Sequence, residues 1–132
     1  MNIVPDLCEV LVDRRLIPGE DGEAAEAEIR AFLRGCVEGE VDMSTLLVDW
    51  PMETPADAEI VQRAKSAAVA ILGEARVTGV QYGTDASKMA RAGIECIVCG
   101  PGDIAQAHTA LEWVEVEQVE AAARLYERLL AG

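Results

Sequence analysis

The sequence is poor in several things a catalytic or binding protein usually has. It holds one histidine, one phenylalanine and two tryptophans, and aromatic residues fill only 4% of its 132 positions. A single imidazole limits the metal and acid–base chemistry that the chain can do alone. Basic side chains are scarce, 11 against 24 acidic ones, for a formal charge of −13. Such a balance argues against gripping nucleic acid or an anionic membrane surface. No uncharged apolar run nears the roughly 18 residues of a membrane helix. The opening MNIVPDLCEV lacks a basic n-region and a long apolar h-region, so it does not read as a secretory signal. Four cysteines without such a signal are expected to be reduced thiols in a cytoplasmic protein rather than a disulfide framework. What is present is apolar material, 51% of the chain, enough for a core in one domain or two half-domains.

The patterning predicts alternating strands and helices. Val4 to Leu16 has a loose period of two in Cys8, Val10 and Val12 and stops at Pro18-Gly19, the mark of a strand; Asn2 to Pro5 supply no element of their own. Glu20 to Cys36 places Ala25, Ile29, Phe32, Leu33 and Cys36 at helical spacing, with acids in the first turns and Arg30 and Arg34 in the last. Val41 to Trp50 reads as a second strand. Thr54-Pro55-Ala56-Asp57 is a helix-start signal. It precedes the stripe Ile60, Val61, Ala64, Ala67, Ala68, Ile71 and Leu72, closed by Gly73. Val77 to Gln81 and Ile94 to Cys99 read as short strands on either side of a short helix, Asp85 to Arg91. Glu115 to Leu130 is a final helix with the stripe Val116, Val119, Ala123, Tyr126 and Leu130. The expected fold class is therefore α/β (α+β), with an antiparallel sheet of the first two strands under the first helix. A composition shift at Pro51 to Pro55 divides residues 1–53 from 54–132.

Few residues stand out chemically. Cys96 and Cys99 have the spacing of a redox pair or half a zinc site, but three positions apart in a strand they face opposite sides, and no second pair completes a set. His108 follows Gly100-Pro101-Gly102 and precedes the last helix; it is expected in a loop, as a ligand, an acid–base group or a plain surface residue. Gly83-Thr84-Asp85 precedes the short helix, either as an anion site or as an ordinary cap. Arg14 and Arg15 end the first strand, either as a fork for a carboxylate or as solvated charges.

Three strings in order resemble one family. Asn-Ile-Val-Pro-Asp followed by Cys-Glu-Val-Leu-Val-Asp-Arg-Arg-Leu-Ile-Pro-Gly-Glu, then Gly83-Thr84-Asp85-Ala86, then Cys99-Gly100-Pro101-Gly102 through Gln106-Ala107-His108 to Glu112-Trp113-Val114, look like the acetylornithine deacetylase, succinyl-diaminopimelate desuccinylase and aminoacylase family. The resemblance implies a catalytic α/β domain with two zinc ions and an inserted ferredoxin-like lid that usually makes a dimer. It implies hydrolysis of an N-acyl or peptide bond beside a carboxylate, with zinc-bound water as nucleophile and a glutamate as general base. By position, His108 matches the last zinc ligand, Arg15 the lid arginine for the substrate carboxylate and Asn2 the asparagine near it. Gly83 and Thr84 match a substrate loop, and Gly100 and Gly102 would let backbone approach the site.

The remaining ligands and the general base of that family have no counterpart in this sequence, and His108 is its only histidine. By the resemblance the chain corresponds to the last third of such an enzyme: part of a lid (1–53) and the C-terminal part of a catalytic domain (54–132). It is expected to bind zinc weakly or not at all by itself. It would act on an N-acyl amino acid or small peptide only with an N-terminal polypeptide. Left open are a non-catalytic remnant or self-associating binding module of the same fold, and an unrelated small acidic binding domain. A homo-oligomer is expected, with no nucleic-acid or membrane partner.

Overall fold

Asp21 opens the first helix by accepting the Ala24 N–H on its carboxylate at 2.9 Å, which satisfies one of the donors a helix start leaves free. In this computed structural model, which describes residues 6–131, four α-helices follow one another. They are α1 (Gly22–Cys36), α2 (Glu59–Leu72), α3 (Ala86–Arg91) and α4 (Val116–Leu130), with a 3₁₀ turn at Ile104–Gln106 between the last two. None is long and apolar enough to cross a membrane.

The expected α/β class is overturned. Among the described residues there is no strand, so neither the strand–helix–strand of a ferredoxin-like lid nor an α/β catalytic layer is formed. The segments read as strands, from residue 6 to Leu16 and at Val41 to Trp50, Val77 to Gln81 and Ile94 to Cys99, make no backbone ladder with one another. Val4 and Pro5 lie outside the described residues. The physical reason is that alternation and β-branched side chains report a fit to a pleated, half-buried surface. They do not supply the neighbour whose N–H and C=O groups complete a ladder, and a lone strand pair is marginal in water.

Helix α1 instead touches coil on either side of it. Its Gly22 lies against Val48, Leu16 and Trp50, and Arg30 donates to the Met43 carbonyl at 3.1 Å while holding Glu26 at 2.6 Å. The turn into α1 has Pro18 second, Gly19 third at φ +90°, and an Ile17 carbonyl to Glu20 N–H bond of 3.0 Å. That is a type II turn, which needs a glycine at its third position. Arg14 grips Glu20 with both guanidinium nitrogens, at 2.8 and 3.2 Å.

Helix α2 buries or half-buries Ile60, Val61, Ala64, Ala67, Ala68 and Ile71 and stops at Gly73 in the left-handed region, φ +82°. Its start is displaced from the expected one. Pro55 to Ala58 form a turn, the helix opens without a side-chain cap, and the Thr54 hydroxyl donates instead to the Cys96 carbonyl. Helices α2 and α4 pack on each other, with Val61, Ala67 and Leu125 buried, and Arg63 places its guanidinium on the Leu129 carbonyl at the C-terminal end of α4, where the helix dipole favours a cation.

For α4 the buried side differs from the expected stripe. Ala121, Ala122, Leu125 and Leu129 face inward, while Val116, Val119, Ala123, Tyr126 and Leu130 are exposed. The helix is apolar over more than half its circumference, and α2 covers only one part of it. The same incompleteness shows in the whole chain. Its accessible surface is 11073 Å², against about 6,700 Å² for a compact protein of this mass. Among the described residues no large side chain is fully buried, and Leu7, Val10, Leu11, Val12, Leu46 and Leu47 all face solvent.

Candidate functional site

The residues singled out from sequence fall in three places. Asn2 lies outside the described residues. Arg15 is on the first segment, two-thirds exposed, with its guanidinium 3.0 Å from the equally exposed Asp13 carboxylate; its neighbour Arg14 is committed to Glu20. That pairing holds the Glu20 carboxyl below the usual carboxylate range, chiefly through the Arg14 hydrogen bond and then through the Ile17 N–H.

Gly83 and Thr84 form the second place. The Thr84 hydroxyl accepts from the Ala86 N–H at 3.2 Å and the Thr84 carbonyl receives the buried Ser87 hydroxyl at 2.9 Å. Asp85 holds Lys88 at 2.6 Å; this bond lowers the Asp85 carboxyl and raises the Lys88 ammonium from their ordinary values. Gly83 lies close to Asp49: a Cβ there would stand 3.5 Å from its Oδ2. Next to Asp49, Trp50 receives the Arg91 guanidinium of α3 on its ring face, so this loop is anchored to the end of the 41–50 segment.

The third place is the stretch from Cys99 to Thr109. The Tyr126 hydroxyl of α4 donates to the Cys99 carbonyl at 2.6 Å, and the Gly102 N–H donates to Gln118 Oε1 at 2.8 Å. A Cβ on Gly100 would lie 3.4 Å from the Tyr126 hydroxyl, and Gly102 has φ +92°. Only Gly102 thus answers a local need, a left-handed backbone; a Cβ on Gly100 would make an ordinary contact. Asp103 then caps the 3₁₀ turn through the Ala105 N–H at 2.9 Å, and Thr109 closes back on the Gln106 carbonyl at 2.8 Å. His108 sits inside this knot, in a turn, exposed, and with φ +60°. The left-handed region is uncommon for a residue with a Cβ and costs about 1 kcal/mol or more.

The cysteine spacing brings no pair together: Cys96 is buried and Cys99 exposed. Among the described residues no three of His, Cys, Asp and Glu are grouped as a metal would need. The two shallow clefts between Trp50, Pro51, Glu53 and the end of α3 contain none of the singled-out residues. Sequence reasoning passed over Gln118 and Asp49 and read Tyr126 only as part of the apolar stripe of the last helix. Gln118 is the one signal that was available, an amide interrupting the apolar side of an otherwise clean helix.

A sequence model of peptidase family M20/M25/M40 matches residues 8–132. The chain belongs to this family. Its relatives include the acetylornithine deacetylase of Myxococcus xanthus, 34% identical over 122 residues, which are 89% of this chain and 31% of that protein. Over 53 residues, 40% of this chain and 14% of the relative, it is 42% identical to the N-acetyl-L-citrulline deacetylase of Xanthomonas campestris pv. campestris. The chain thus spans less than a third of the length of the curated relatives it matches. No solved structure matches it significantly. Enzymes of the M20 family are generally metal-dependent, which makes the placement of its one imidazole the central question.

Proposed function

We propose that this chain is the C-terminal portion of an M20-family amidohydrolase that removes the N-acyl group from an amino acid of the acetylornithine kind, and that it is inactive alone. The observation that carries the reading is the similarity to an acetylornithine deacetylase over 89% of the chain. Residues 54–132 belong, on this reading, to the catalytic domain and residues 1–53 to a lid that would dimerise, in a cytoplasmic enzyme.

The residues present do not by themselves fit a metal, because no three potential ligands converge among those described. A catalytic zinc needs about three protein ligands and an open position; on this reading His108 gives one, and no hydrolytic step is assigned to this chain through the ion. What the chain's own groups can do is bind and place. His108 presents an exposed imidazole from a loop fixed on both sides. Among the described residues Arg15 is held only by an exposed carboxylate, a pairing weak enough in water to be exchanged for a substrate carboxylate in the same fork geometry. On this reading Gly83, Thr84, Gly100 and Gly102 offer backbone to the substrate, and Asn2 is a further substrate-binding residue.

The surplus accessible surface favours a further element of the reading: the chain associates, with a completing polypeptide or with itself as a homo-oligomer. The test is N-deacylation of N-acetylornithine and N-acetylcitrulline with zinc added. The purified chain is assayed alone and mixed with a separate polypeptide carrying the remaining part of the Myxococcus xanthus relative. The expected result is no turnover alone, turnover in the mixture, and its loss in His108→Ala. Turnover by the chain alone, lost in His108→Ala, would overturn the incomplete-site reading.

A further inference from the structure

We infer that Tyr126 and Gln118 are positioning residues for the loop that carries His108: two side chains of α4 that fix the Cys99–Gly102 backbone and, through it, the direction of the imidazole. The relevance to deacylation rests on the function proposed above; the hold on the loop does not.

Three observations support it. The Tyr126 hydroxyl donates to the Cys99 carbonyl at 2.6 Å, so a ring that is 39% exposed on an otherwise uncovered stripe ends in a specific bond rather than in bulk water. Two turns back on the same helix, Gln118 Oε1 accepts the Gly102 N–H at 2.8 Å. The two bonds grip opposite ends of Gly100-Pro101, one through a carbonyl and one through an N–H, so together they set the plane and the path of that segment. Proline stiffens it further by fixing its own φ. Gly102 turns at φ +92°, a backbone conformation that a side chain would strain.

From Asp103 to Thr109 local bonds follow one another. Asp103 holds the Ala105 N–H, the Ala107 N–H bonds the Ile104 carbonyl at 3.1 Å, and Thr109 bonds back to Gln106. A residue with a Cβ kept at φ +60° stays there only when its surroundings over-determine it. The α4 anchors are the only side chains outside the loop bonded to this stretch among the described residues. A fixed second support behind a ligand or binding loop is what sets its geometry.

The sequence offers a clean reporter, because His108 is the only histidine and gives a single Cε1–Hε1 imidazole cross-peak in a two-dimensional NMR spectrum of the 132-residue chain. Tyr126→Phe removes one oxygen and keeps the ring; it should move or broaden that peak, with helix content by circular dichroism unchanged. Gln118→Leu should do the same and should speed exchange of the Gly102 amide by about five- to tenfold, the loss of one ordinary hydrogen bond. Gln118→Glu keeps an acceptor and should return both readings toward wild type. Tyr82→Phe should leave the peak in place. An imidazole peak unmoved in Tyr126→Phe with helix content intact overturns the proposal, and so does a Gln118→Glu peak displaced as far as that of Gln118→Leu. If Gln118→Leu loses its helices, Tyr126→Phe decides. A chain without deacylase activity in any mixture, but with a peak that answers to Tyr126→Phe, refutes the function and keeps the positioning role.

Discussion

Gly22 and Val48 are packed so closely that a methyl group on Gly22 would come within 2.7 Å of the Val48 Cγ1 atom. Glycine at the first position of α1 is a poor helix former, yet here it lets the helix lie on the 41–50 segment. Alanine would gain a few tenths to about 1 kcal/mol of helix propensity, and overpacking typically costs about 1–3 kcal/mol, so the clash wins. Gly22→Ala should therefore lower the thermal midpoint of the helical signal by a few degrees, read by circular dichroism. Gly22→Ala combined with Val48→Ala should recover most of the loss. An alanine variant more stable than wild type would show that the helix does not rest there.

Low pH should loosen the entry to α1. The Glu20 carboxyl is held below its ordinary value by Arg14 and by the Ile17 N–H, and Glu26 is lowered by Arg30 and then by Thr45. A depressed folded-state value contributes stability above the unfolded value and loses it as pH falls through the folded one. The effect should therefore be absent near neutrality and appear only in and below the ordinary carboxylate range. Both pairs are exposed to solvent, so added salt should weaken the effect. A carbon-detected titration of the glutamate carboxyls checks this: Glu20 and Glu26 should titrate below the ordinary glutamate range, and Arg14→Ala should return Glu20 toward it.

The helices were legible for reasons that do not depend on the rest of a protein. In α2 the stripe from Ile60 to Ile71 repeats over more than three turns and Gly73 supplies a left-handed stop, so period and terminator agree. For α1 the stripe and its end at Cys36 were legible, while the start was read at Glu20 and the Asp21 cap was not singled out. Thr54 misled because a hydroxyl before Pro55 is a good cap by type, whereas its bond to the Cys96 carbonyl is a contact 42 residues away that no local signal carries. The four apolar segments misled for a deeper reason. Val10, Leu11 and Val12 report that they fit a covered surface, but not where the cover comes from, and here they are exposed. The face of α4 failed in the same way: a helix apolar over more than half its girth has several candidate stripes, and the sequence does not say which one α2 takes. In the site, the loop position of His108 was readable from Gly100-Pro101-Gly102, while the anchors on it, Gln118 and Tyr126, depended on how α4 is rotated.

Association should be measurable. Val116, Val119, Tyr126 and Leu130 on α4, with Leu7 to Val12 and Leu46-Leu47, leave more apolar surface in water than a stable monomer usually exposes. Burying it stabilises an assembly by about 25 cal/mol per Å² of apolar area before the cost of association. The opposing term is a charge of −13 on each copy, which salt screens. Self-association should thus grow with protein and salt concentration in light scattering. A strict monomer at high concentration in high salt would count against it. Val119→Glu with Leu130→Glu should reduce association if the α4 face takes part.

Zinc binding by the isolated chain should be weak and should not define a stoichiometric site. Two kinds of binding compete in any titration. One is diffuse: 24 acidic side chains attract divalent cations through a field that falls off within about 8 Å at physiological ionic strength. The other is local, through the His108 imidazole. A tight local site needs further ligands held around the ion and partners that orient them, and no such group forms among the described residues. The diffuse term should therefore dominate, and it has three marks: it weakens with added potassium chloride, magnesium competes with it, and His108→Ala leaves it almost unchanged. Calorimetry at two salt concentrations, with the His108 imidazole peak followed in parallel, separates the two. The peak should move only at zinc concentrations far above the micromolar range. Saturation at one zinc per chain in the micromolar range, insensitive to salt and abolished by His108→Ala, would mean that this chain gathers a ligand set of its own around its single histidine.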